Sequence, residues 1–96
     1  MEETWIDGTL FAFDGRVVEA FGFPGEGDLR YHIRNLKLTV DEPDAKGRRC
    51  IHLRPWSTGA GSMSMHISAE AWPAAQPFLE HVKSAIAQSR TQVAAA

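Results

Sequence analysis

Cysteine is almost absent from this chain: Cys50 stands alone, so no intramolecular disulfide can staple the fold, and packing must hold it together as in a reducing compartment. Long apolar runs are absent as well. No stretch approaches the roughly 18 residues that span a bilayer, and Met1 to Asp7 is acidic and polar, without the basic and apolar regions of a signal peptide. The chain therefore reads as cytoplasmic. Neither sign of charge prevails: a formal net charge of −2 and a pI near 6.0 give no global attraction to nucleic acid or to an anionic membrane. Such ligands would need a local patch.

What remains is ordinary globular material. Apolar residues make up 44% of the 96 residues and charged residues 23%, which argues against disorder. A chain this short buries only about 60 to 65% of its unfolded surface, enough for one core and no second. Residues 1–90 are expected to form one domain, and 91–96 a frayed tail without cap or partner signal.

The hydrophobic period changes once, near Ile67. Before it, short alternations separated by Gly and Pro predict strands: Leu10–Phe13 and Arg16–Phe21 as a tight hairpin around Asp14-Gly15, a dipeptide that tolerates positive φ at both central positions. The segment GFPGEGD then reads as an exposed loop. Leu29, Tyr31 and Ile33 alternate with Arg30, His32 and Arg34, giving one apolar and one basic face. Leu36, Leu38 and Val40 then continue in the opposite phase, so a bulge or corner must absorb one residue near Arg34-Asn35. The spacing of 29, 33, 36 and 40 also allows a helix, but Tyr31, Ile33, Thr39 and Val40 favour strands. Arg48–Pro55 and Ser62–Ile67 complete five or six strands on short turns, hence an antiparallel meander.

After Ile67 the period becomes helical. Trp72, Ala75, Leu79, Val82 and Ile86 recur at spacings of three and four, with Phe78 and Ala85 widening the stripe. Ser68 is the candidate N-cap, with Glu70 in the first turn. Pro77 disfavours helical geometry at Gln76, so the helix is expected to kink or to begin near Pro77.

Four histidines, His32, His52, His66 and His81, raise the question of a metal. None shares the i, i+4 spacing of a zinc helix, and no acid or second Cys completes a ligand set, so no metal and no other cofactor is expected. Adjacent strands would bring His32, His52, His66 and Cys50 onto one polar face. A cysteine nucleophile needs a lowered pKa and an oriented base, and no third group is visible for Cys50. The Gly-rich GFPGEG and STGAGS fail as phosphate loops, since STGAGS leads into a strand and has no Lys. Arg30, His32, Arg34 and Arg54 form the candidate anionic-ligand face, mixed with Asp28, Asp41, Glu42 and Asp44. Trp56, in RPWSTG, is a candidate contact anchor, as is Trp5.

The segments GTLFAFDGRVVEAFG, YHIRNLKLTV and MSMHISAEAW, in this order, resemble bacterial pleckstrin-homology-like (PH-like) domains of unknown function. The resemblance implies an α+β, mainly β fold: a bent antiparallel meander or partly open barrel of five to six strands, plugged at one end by the C-terminal helix. It also implies a non-enzymatic module that binds a protein or peptide, with self-association to a homo-oligomer in view, through a strand edge or a groove beside the helix. Phosphoinositide binding is not carried over, because the first hairpin, FDGR, has Arg16 as its sole base. The alternatives are an anionic-ligand binder using Arg30, His32, Arg34 and Arg54, and a small Cys/His-based or metal-dependent enzyme using Cys50, His52 and His66.

Overall fold

In the computed structural model, which describes residues 1–23, 27–56 and 61–95 with side chains to Arg90, seven antiparallel strands precede one helix. They are β1 (Glu2–Ile6), β2 (Thr9–Phe13), β3 (Val17–Phe23), β4 (Gly27–His32), β5 (Leu36–Val40), β6 (Arg49–Pro55), β7 (Met63–Ile67) and α1 (Trp72–Ala95). The strands form a four-stranded sheet, β1-β2-β3-β4, and a three-stranded sheet, β5-β6-β7, each a meander. The arrangement is consistent with a PH-like topology, with one or two strands more than the five or six the alternation pattern predicts.

The additional strand is β1. Only Ile6 of its five residues is buried, so the segment carries no apolar alternation to betray it. Its turn is the true double-positive hairpin: Asp7 and Gly8 hold φ of +48° and +84°, which aligns Ile6 with Thr9. Around Asp14-Gly15, by contrast, only Gly15 is left-handed. Asp14 acts through its side chain, whose Oδ1 accepts from the N–H of Arg16 and of Val17, both at 2.8 Å. Those bonds hold its carboxyl below the ordinary aspartate range.

The phase reversal is absorbed by a 3₁₀ turn at Ile33–Asn35, and no helix forms across residues 29–40. The turn lets Ile33 and Leu36 both point inward and carries the chain from one sheet to the other.

The expected stripe on α1 is the buried one: Ala75, Phe78, Leu79, Val82 and Ile86 lie in the core with Ile6, Phe11, Phe13, Ile51 and Leu53. The helix runs through Pro77 and starts at Trp72, so it neither waits for that proline nor needs it as a first-turn residue. Pro73 and Pro77 both sit on the exposed side, where water can satisfy the carbonyl left without an N–H. Ser68 caps the approach to the helix, its Oγ accepting from Ala71 N–H at 3.2 Å. Glu70 consequently falls in the preceding turn and outside the first helical turn. The tail expected to fray has helical backbone to Ala95, and its side chains lie outside the described residues. So do parts of the two Gly-rich loops, at residues 24–26 and 57–60.

Asp7 ties the ends of the β part together. Its Oδ2 accepts from Ser68 N–H at 2.7 Å and its Oδ1 from Ser68 Oγ–H at 2.9 Å. Asp7→Ala would remove both bonds and place a residue with a poor left-handed propensity at φ +48°, for an expected loss of about 1–2 kcal/mol in a urea melt. Asp7→Asn keeps the turn preference and is expected to lose less.

Candidate functional site

One concave feature beside the helix is a groove of about 590 Å³ lined by Gly15, Arg16, His32, Ile33, Arg34, Ala85, Gln88 and Ser89. Three elements place these side chains. The β2–β3 turn presents Arg16, the 3₁₀ turn presents Arg34, and the last described turns of α1 form the opposite wall. A backbone bond from Ile33 N–H to the Arg16 carbonyl, 2.8 Å, fastens the first two together. His32 closes the 3₁₀ turn by accepting from Arg34 N–H through Nδ1 at 3.2 Å, which orients the ring at the groove's rim.

Electrostatically the groove is basic and unneutralised. Among the described residues the ion pairs are Arg48 with Asp44, His52 with Asp41 and His81 with Glu2, and none involves Arg16 or Arg34. Ile33 and Ser89 are the buried members of the lining, so an occupant would meet a mostly polar surface with a charged rim.

The candidate anionic-ligand residues are dispersed by this architecture. His32 and Arg34 line the groove. Arg30 lies on the outer face of the four-stranded sheet, opposite Glu19, and Arg54 lies on the outer face of the other sheet, opposite Lys37. Trp56 stands beside the groove: its N–H donates to Asn35, its Nε1–H donates to the Leu36 carbonyl at 3.1 Å, and the Arg90 guanidinium lies 3.7 Å from its ring. Arg16 is the groove residue that the sequence pattern placed elsewhere. It sits in the second hairpin, and the first hairpin has Asp7-Gly8 at its tip with no base.

Trp5 is exposed on β1 and forms a cross-strand row with Leu10 and Phe21, an apolar ridge on the outer face of the four-stranded sheet. His81, on α1, packs edge-on against Phe13 and pairs with Glu2.

The outer face of the three-stranded sheet collects Cys50, His52 and His66, but not His32, which belongs to the other sheet. Cys50 stands opposite His66, and His52 opposite Ser64. Asp41, just past β5, joins them, its N–H donating to the Cys50 carbonyl at 2.9 Å. Its Oδ2 lies 2.9 Å from His52 Nε2, while His52 Nδ1 lies 2.7 Å from Ser64 Oγ. Partial burial and the neighbouring Asp41 carboxylate push the Cys50 thiol above its ordinary pKa, the reverse of what activates a nucleophile. The signal for Asp41 was present only in the register: Val40 opposite Ile51 puts Asp41 opposite Cys50. In the sequence it reads as one more acid in a polar loop.

The loop that returns from Asp41 to β6 is organised by Asp44, whose Oδ1 accepts from Lys46 and Arg48 N–H groups and whose Oδ2 accepts from Arg48 Nε–H, each at 2.9 Å. Chiefly the Arg48 backbone bond holds the Asp44 carboxyl below its ordinary range. No described helix is long and apolar enough to cross a membrane. Comparison with known proteins finds no matching family model, no matching curated protein and no matching solved structure.

Proposed function

We propose that this chain is a non-catalytic binding module of the PH-like family, and that its groove takes an acidic segment of a protein or peptide partner. The supporting observation is the groove beside α1, whose arginines, Arg16 and Arg34, have no acidic partner among the described residues. Both guanidiniums present planar donors suited to carboxylates, and the gap between turn and helix is open to an extended chain. Ser89 and Gln88 add hydroxyl and amide groups on the helical wall, where a peptide backbone would need partners.

Anisotropy of a labelled Asp/Glu-rich peptide, titrated with the full chain at low and high salt, tests this reading. Binding is expected at low salt and is expected to weaken with screening. Arg16→Gln/Arg34→Gln should lower affinity by about tenfold, since two exposed charges contribute at most about 1 kcal/mol each. Arg30→Gln/Arg54→Gln, on the outer faces, should change it little. Retention on anionic vesicles without peptide binding would replace a protein partner with a lipid surface.

A further inference from the structure

The outer face of the three-stranded sheet gathers a mixed set of donors that the groove does not use. One carboxylate oxygen of Asp41, Sγ of Cys50 and a ring nitrogen of His52 all lie within 4.8 Å of one another. Tetrahedral ligands at about 2.0–2.3 Å from a zinc ion are separated by less than 4 Å, so small side-chain rotations bring these three atoms onto one centre. We propose that Asp41, Cys50 and His52 form a binding site for a divalent metal ion of the zinc class, with the fourth position left to water.

Three features of the site favour this occupant. Thiolate and imidazole together select a borderline-soft ion over magnesium or calcium, which prefer oxygen donors. The His52 ring is already held from its far side: Nδ1 is 2.7 Å from Ser64 Oγ, so the ring can donate Nδ1–H to the hydroxyl while Nε2 offers its lone pair to the metal. In the ion's absence a proton between Nε2 and Asp41 Oδ2, 2.9 Å apart, serves the same bridging purpose. When the metal takes the Nε2 lone pair the ring's single proton moves to Nδ1, and the Cys50 thiol proton is the one released to solvent as the metal–thiolate bond forms. The backbone on which the donors sit is fixed by the β5–β6 ladder and its continuation from Asp41 N–H to the Cys50 carbonyl. His66, opposite Cys50 on the same face, borders the open side.

Cobalt(II) added in equimolar amount to the reduced, untagged chain at neutral pH is the test, because a cobalt–thiolate bond absorbs in the near ultraviolet. The expected result is a charge-transfer band that zinc(II) abolishes by displacement, with zinc slowing alkylation of Cys50. Cys50→Ser should remove the band. His52→Ala and Asp41→Asn should each weaken zinc binding at least about tenfold, and Ser64→Ala, which removes only the group orienting the ring, by about tenfold. Cys50, His52 and Ser64 are on the sheet's outer face and Asp41 lies just past β5, and an unchanged amide spectrum certifies each variant as folded. Absence of the band in the native chain overturns the proposal. So does a band undiminished in His52→Ala, which would be capture by the thiol alone.

Discussion

Phe78→Ala is expected to remove a large share of the chain's stability. Phe78 is 2% exposed and meets Phe11, 1% exposed, edge-on with ring centroids 6.0 Å apart, where α1 seals the sheets. Truncation removes the ring's transfer free energy and leaves a void between elements that cannot close on it, a change that costs about 3–5 kcal/mol in comparable cores. A domain of this length holds only about 5–14 kcal/mol in total. At about 4–8 °C per kcal/mol, the melting midpoint should fall by at least about 12 °C. Phe78→Leu, which keeps most of the volume, should cost about half as much or less. Tryptophan fluorescence in a urea series reads both. A midpoint unmoved by Phe78→Ala would mean that the helix does not plug the sheets.

The second large effect is expected at Trp56, as a loss of about 2–3 kcal/mol in Trp56→Ala. The residue is 50% exposed, which on exposure alone marks an interaction anchor. Its surroundings assign it a structural share: one hydrogen bond from Nε1–H to Leu36 and ring contacts with Arg90 at 3.7 Å and Lys37 at 5.1 Å. The hydrogen bond contributes about 1 kcal/mol and each cation–π contact about 0.5–1 kcal/mol, with half-burial of the indole adding to these. Trp56→Phe keeps a ring face for the cations and loses the donor, so it should recover part of the deficit. Thermal melts of the three proteins measure this. A Trp56→Ala chain as stable as the parent would return Trp56 to the role of a free contact residue.

Where apolar periodicity was strong, the sequence was enough. The stripe from Ala75 to Ile86 is buried as its spacing requires, and the reversal of phase at Arg34-Asn35 marks the turn between the two sheets. β1 was hidden because an edge strand that buries only Ile6 has no alternation, and because two Asp-Gly pairs compete as turn signals while differing in how the Asp is used. The groove was half legible. Arg34 and His32 belong to a basic stretch visible in the text, whereas Arg16 reaches them only through the pairing of β3 with β4 and the bond from Ile33 to Arg16. Arg54 leaves the set for the same reason, since a residue's sheet is a property of topology. Asp41, Cys50 and His52 are separated along the chain by a loop, and only the ladder between β5 and β6 makes them neighbours.

The pairing of Asp7 with Ser68 also has a kinetic side. The two residues are 61 positions apart, so their bonds form only after nearly the whole meander has been laid down, when the entropy of closing that loop has already been lost. Contacts of this kind are absent from a nucleus built on local hairpins. Weakening them should leave the folding rate almost untouched and appear as faster unfolding, so this carboxylate is a latch on the native state and has no part in guiding the chain toward it.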